Sequence, residues 1–508
     1  MTSSDTPSGP PRRRLLLAAA ALLALAATAA AFVIANRKAG RFNVLLVTVD
    51  TLRASRLSFM GNERETSPAL DALAASGTVF DAAYAPRGST WPSLTTILTG
   101  KYPIIHGVRS NGEALRAEHR TLAEILKAEG FATGAFLTNM TSAPNRGFDE
   151  LAVCRDFMRP HFEWDRTAVR RATEFLRRHA DDRFFAWVHL MDPHEPYLPP
   201  PPFDRWAEGY DGPFTGHPEP LEKIALDASL PFGEADEAAM LALYDGQIAS
   251  TDRYLQKLFA TLDELGLAEE TLVVFTSDHG EELFDHNRYF FHAASIYDGV
   301  LHVPLVFRLK GAVREGARKG ALVELIDVLP TVLDFLDLPR PSWIQGETLR
   351  PILDGARPER KKDTAFFEWS PPEKHFPQDI ANRVFAVRRG KWKLISNPSG
   401  LRPWNRPYDK AKGEGFALER TELYDIEADP GETKNLAGTE TKVARELFEV
   451  LGLWLAEMAE KAGASDEASA ESQRQLEQLG YIRGAPRGDD PPPHPSEEKP
   501  DAEDGRRR

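Results

Sequence analysis

The stretch NVLLVTVD, Asn43 to Asp50, is an unbroken apolar and β-branched run that stops at a carboxylate. A strand in a parallel sheet covered by helices on both faces has no solvent side, so it reads as continuous hydrophobicity rather than alternation. The pattern recurs: Phe184 to Leu190 runs up to Asp192 and His194, and Thr271 to Thr276 runs up to Asp278 and His279. Helical spacing fills the intervals at Ser67–Ser76, Leu122–Glu129 and Tyr244–Leu265. This alternation predicts an α/β fold built on a mixed, largely parallel sheet flanked by helices.

The texture changes near residue 340. Pro-rich connections and short strand patterns follow, among them Val384–Arg388 and Lys391–Ile395 around Gly390, and Thr439–Lys461 has helical spacing. The expected organisation is an N-terminal segment over 1–41, a catalytic α/β domain over 42–340, and a small antiparallel subdomain with a helix over 341–462. An acidic, Pro-rich tail follows over 463–508; only Leu476–Ile482 offers a docking stretch in it, and 485–508 reads as disordered. No internal repeat is apparent.

In an open α/β sheet, ligands collect at the carboxyl ends of the strands. Asp50, Asp192, His194, Asp278 and His279 are therefore expected to converge, although more than two hundred residues separate them. Singly, each is an ordinary cap or turn residue; jointly they favour a metal site. Between the first two strands, Ser89 to Gly100 resembles a helix with Thr90 and Pro92 at its start and Gly100 at its stop. A hydroxyl there sits in the field of a helix N-terminus, which favours an alkoxide and an incoming anion alike.

The 508 residues are 42% hydrophobic and 27% charged, which excludes wholesale disorder, and the net charge of −14 argues against a nucleic-acid surface. Cys154 is the only cysteine, so no internal disulfide forms; it reads as a small buried or half-buried side chain. Arg12, Arg13 and Arg14 precede an apolar stretch from Leu15 to Ala35 that is long enough to span a bilayer. It reads as an uncleaved anchor, with Ala29 and Ala31 leaving the alternative of a cleaved signal, and the arginines resemble a twin-arginine export signal. Arg37, Lys38 and Arg41 flank its other side, nearly balancing the charge, yet large domains after such segments are commonly translocated. The domain is thus expected outside the cytoplasm, in the periplasm or at the cell surface, anchored or secreted.

The segment TWPSLTTILTG, Thr90 to Gly100, resembles the sulfatase signature, in which a modified Cys or Ser is followed by X, Pro, Ser, Arg and later Thr and Gly. Further segments match the family in order: VDTLR (49–53), SPALDALA (67–74), YPIIHG (102–107), HLMDPHEPY (189–197) and FTSDHGE (275–281). YDGVLHVPL (297–305), ELIDVLPTVLD (324–334) and LYDIEADPGETKNLA (423–437) continue the series, so the resemblance covers roughly 42–440. It implies an alkaline-phosphatase-like fold.

Departures from the signature bear on the chemistry. Sulfatases use a formylglycine made from Cys or Ser, and Thr90 cannot be converted to that aldehyde. Leu94 replaces the signature Arg, Thr51 the second Asp of the first motif, and AFLTN (135–139) a Lys and His motif. What remains resembles the metal set of lipoteichoic acid synthases and phosphoethanolamine transferases, which form a phosphothreonine. The resemblance implies that Asp50, Thr90, Asp278 and His279 hold one divalent ion, with Thr90 as nucleophile. Three oxygens and one nitrogen suit Mn²⁺ or Zn²⁺ better than Ca²⁺ or Mg²⁺. His194 and His292 are candidate catalytic groups, and Asp192, His194 and His292 could serve a second metal or contact substrate oxygens. The expected function is a metal-dependent hydrolase or transferase of phosphate esters. The alternatives are a sulfuric ester hydrolase without formylglycine and an inactive membrane-anchored binding protein, against which the intact metal set weighs.

Overall fold

The computed structural model describes residues 42–138, 144–217, 233–287, 292, 295–357, 360, 362–369, 383–398 and 420–462. The Leu15–Ala35 segment and the acidic tail lie outside the described residues. Among those described, no helix is long and apolar enough to cross a membrane.

Eight strands form the larger sheet: β1 (Asn43–Val49), β2 (Thr78–Tyr84), β3 (Ala132–Leu137), β4 (Glu150–Val153), β5 (Phe184–Leu190), β6 (Thr271–Ser277), β7 (His302–Arg308) and β8 (Ala317–Glu324). Their order is β4-β3-β5-β1-β6-β7-β2-β8. β1 pairs in parallel with β5 and β6, β3 with β4 and β5, and β2 with β8. β7 is antiparallel to both β6 and β2, so it alone runs against the rest. The central strands β1, β5 and β6 are buried along their whole length, as their continuous apolar sequences require.

Successive side chains of β1 serve opposite cores. Val44 and Leu46 join Trp187, Val274 and the helix residues Leu94, Ile97 and Leu98 on one face. Leu45, Val47 and Val49 join Phe175, Phe275 and Leu255 on the other. Burying each such aliphatic side chain contributes roughly 1.5–3 kcal/mol, which makes a one-residue slip of β1 prohibitive. The long covering helix spans Glu234–Glu264, starting ten residues before the expected Tyr244. Its added first turns, EADEAAMLAL, are good helix formers, and Asp236 returns a carboxylate to the Gly233 N–H at the N-cap.

Strands β9 (Thr364–Trp369), β10 (Val384–Arg389), β11 (Trp392–Ser396) and β12 (Thr421–Asp425) form a separate antiparallel sheet in the order β12-β11-β10-β9. One face packs on the Thr441–Lys461 helix through Leu451, Trp454 and Leu455. The other packs on Tyr84, Tyr297 and Val300 of the larger unit. Cys154 is a free, buried thiol.

Candidate active site

The parallel alignment of β5, β1 and β6 brings the key side chains to one edge. Val49 is level with Leu190 on one side and Ser277 on the other, so Asp50 and Asp278 emerge side by side. The Asp50 N–H donates to the Leu190 carbonyl at 2.9 Å, continuing the ladder one residue past β1. Ser277 Oγ donates to the Val49 carbonyl at 2.7 Å and accepts from the Leu52 N–H at 3.1 Å, pinning the two strand ends together. Asp50, Asp278 and His279 are fully buried.

Hydrogen bonds set the orientation of each group. Asp278 Oδ1 accepts from the His279 N–H at 2.8 Å and the Thr51 N–H at 3.3 Å, while Oδ2 has no hydrogen-bond partner among the described residues. His279 Nδ1 lies 2.9 Å from the Gly280 carbonyl. A carbonyl only accepts, so Nδ1 carries the ring proton, and burial together with the neighbouring His292 lowers the pKa to about 3, leaving the ring neutral. The bare Nε2 then faces Asp278 Oδ2 at 3.5 Å, Asp50 Oδ1 at 3.7 Å and Thr90 Oγ1 at 3.5 Å. A nitrogen lone pair aimed at ionised carboxylate oxygens is repulsive unless a proton or a cation lies between them. Donors about 2.0–2.2 Å from a shared ion stand roughly 3–4 Å apart, and the distance from Nε2 to each of these oxygens falls in that range.

Asp50 and Asp278 divide their ionisation unequally. Burial and the charge of Asp50 push the Asp278 carboxyl well above the ordinary range. Burial also works to raise Asp50, yet the adjacent His189 imidazole and the charges of His194 and His279 bring it below its usual value. A bound divalent ion would favour the ionised form of both.

Thr90 opens the helix Thr90–Thr99, with Ser89 extended at the N-cap and Gly100 in the left-handed conformation at the stop, φ 64°. Its hydroxyl is buried beside His279 in the field of that N-terminus. Leu94, at the position of the signature Arg, is fully buried in the apolar core with Ile97 and Leu98. Thr51 adopts a positive φ of 53°, and its Oγ1 is buried without a hydrogen-bond partner among the described residues.

His292 stacks on His279 with ring centroids 4.5 Å apart, and His194 meets His292 edge-on at 5.3 Å. Glu281 holds His292 Nδ1 at 3.3 Å, and the Glu195 carbonyl holds His194 Nδ1 at 2.8 Å. Burial opposes protonation of His194, but Asp50 and Glu195 raise its pKa; burial and His194 lower that of His292 to about 4. Asp192 takes a different position. Its Oδ1 accepts from Gln247 Nε2 at 2.9 Å, with His161 Nδ1 at 3.6 Å, and its N–H donates to Asp165. The described residues that gather three ligand atoms within 4.8 Å of one another are Asp50, Asp278 and His189 rather than Asp192. His189 was not among the expected site residues. Sitting inside an apolar run, it reads from sequence as a strand position, and only the pairing Thr48↔His189 sets it beside Asp50.

Such a fold, with strand-end carboxylates and a buried hydroxyl at a helix start, defines an ester hydrolase of the alkaline-phosphatase-like kind. The Sulfatase family model matches residues 42–338, more than half of the chain, and the chain belongs to that family. A model of the N-sulphoglucosamine sulphohydrolase C-terminal region matches residues 286–413. Similar proteins include the ulvan-active sulfatase of Formosa agariphila, 26% identical over 431 residues covering 78% of this chain and 77% of that one. Arylsulfatase K of Rattus norvegicus is 26% identical over 445 residues, covering 78% and 74%. The phosphonate monoester hydrolase structure of Agrobacterium radiobacter shares the fold with a TM-score of 0.66 at 24% identity, covering 83% of this chain and 96% of that one.

Proposed function

We propose that this sulfatase-family enzyme is a metal-dependent hydrolase or transferase of phosphate esters that uses Thr90 as nucleophile, as do the phosphothreonine-forming enzymes whose metal set it resembles. The observation that carries the reading is the bare His279 Nε2 between Asp278, Asp50 and the Thr90 hydroxyl, at 3.5, 3.7 and 3.5 Å. Asp50, Thr90, Asp278 and His279 would hold one divalent ion, with Mn²⁺ or Zn²⁺ suiting this mixed oxygen and nitrogen set. Such an ion lowers the pKa of a hydroxyl it binds and neutralises charge on the transferred group.

The chain's own groups supply the rest. Thr90 Oγ1 gives up its proton to solvent and attacks phosphorus, forming a Thr90–O–P bond as the bond to the leaving oxygen breaks; water or an acceptor alcohol then attacks phosphorus, losing its own proton, and Thr90 leaves and is reprotonated as the hydroxyl. N–H groups at the start of the Thr90–Thr99 helix stabilise the non-bridging oxygens. His194 and His292 would pass a proton to the leaving oxygen or hold a substrate oxygen.

A sulfate ester attacked by unmodified Thr90 is the second reading, favoured by the sulfatase names of the curated relatives. Metal-reconstituted protein assayed on aryl phosphate, phosphodiester and aryl sulfate separates the two. Turnover of a phosphate substrate well above the sulfate is expected, and turnover confined to the sulfate would overturn the phosphate reading. The Leu15–Ala35 segment, as an anchor or export signal, would place this chemistry outside the cytoplasm.

A further inference from the structure

We infer that His189 is an additional ligand of the ion held by Asp50, Asp278 and His279, an inference that rests on the metal site proposed above. Its ring is fully buried, and Nε2 has no hydrogen-bond partner among the described residues. That nitrogen lies 3.6 Å from Asp50 Oδ2, and one ligand atom each of His189, Asp50 and Asp278 lie within 4.8 Å of one another. Asp50 therefore presents Oδ1 to His279 and Oδ2 to His189, with the two imidazoles approaching from strands on either side of β1.

The other side of the ring is fastened. His189 Nδ1 lies 2.9 Å from Thr48 Oγ1, which accepts from Trp187 Nε1 at 3.0 Å. All three residues stand on the sheet face that the Thr90–Thr99 helix covers, because 187 and 189 alternate in step with 48 across the β5–β1 pair. Binding the ion requires the ring proton on Nδ1, donated to Thr48, which leaves the Nε2 lone pair for the site. Ligating histidines are characteristically held in this way through the nitrogen that does not bind the ion.

Position 51 supplies the reason a second imidazole is needed. Thr51 stands where the sulfatase motif has a second carboxylate, so the shell is one anionic donor short. His189 restores the donor count with a neutral nitrogen, giving two imidazoles, two carboxylates and a hydroxyl. This composition selects Zn²⁺ or Mn²⁺ over Ca²⁺, which prefers an all-oxygen shell.

X-ray absorption at the zinc edge of the full chain reconstituted with Zn²⁺ counts imidazoles directly. Two are expected in the wild type and one in His189→Gln. Competition with a chelator should show zinc binding weakened by about 100-fold in the variant, at least the loss seen on removing an outer partner of a ligand. A single imidazole in the wild type would overturn the role of His189 while leaving the metal site standing. Failure of the wild type to retain zinc after reconstitution would overturn both. Should His189→Gln not fold, the wild-type spectrum decides alone.

Discussion

At the residue scale the site is a set of buried groups whose arrangement makes sense around a cation. Asp50→Ala and Asp278→Ala are each expected to lower metal occupancy, measured by elemental analysis after reconstitution, since each removes a buried donor facing His279 Nε2. Occupancy unchanged in both variants would remove them from the shell. That Asp50, Thr90, Asp278 and His279 lie close together was legible in the sequence because each follows an apolar run or opens a helix, the two places where α/β folds put ligands. The place of His189 beside Asp50 was not, because its neighbours Val188 and Leu190 are core residues and only the sheet order reveals what faces Asp50. Asp192 satisfies the same strand-end pattern, and Gln247 from the long helix holds its Oδ1, a contact between distant segments that spacing cannot show.

Elements position these residues through backbone contacts. Gly280 follows His279 and donates to the Val300 carbonyl at 2.7 Å; a Cβ there would stand 2.3 Å from the Gly299 carbonyl. Gly280→Ala should therefore force the 298–301 turn away and displace His279, costing about 1–3 kcal/mol in urea denaturation, with weakened metal binding. A wild-type midpoint together with wild-type metal affinity would show that the backbone yields freely. Strands β1, β5 and β6 were legible nearly to the residue because full burial leaves an uninterrupted apolar run. The Glu234–Glu264 helix was legible only from Tyr244 onwards: its first turns are acidic and partly exposed, so they lack the apolar stripe that marks a buried helix face.

On the scale of the whole molecule, buried charges join the two sheets. Lys393 on β11 is fully buried and pairs with Asp298, ahead of β7, at 2.7 Å and with Glu432, beyond β12, at 2.8 Å. Tyr84 at the end of β2 donates to the same Asp298 at 2.7 Å. Lys393→Ala would leave two buried carboxylates facing each other, with an expected loss of about 3–5 kcal/mol in denaturant titration. A loss below about 1 kcal/mol would show that the two units are held by their apolar face alone. The division into a parallel and an antiparallel part was legible from the texture change near residue 340, whereas this ionic seam, assembled from three distant segments, was not. Export is a separate matter, read by fusing a cytoplasm-only reporter after Arg508: silence is expected, and activity would refute an extracytoplasmic domain. The central claim is that Thr90 is the nucleophile, and turnover of a phosphate ester by metal-loaded Thr90→Ala tests it most directly. Loss of several orders of magnitude in kcat, with a wild-type melting temperature and with Thr90→Ser retaining part of the activity, is the predicted result. Near-normal turnover by Thr90→Ala would contradict it and leave a water molecule as the attacking group.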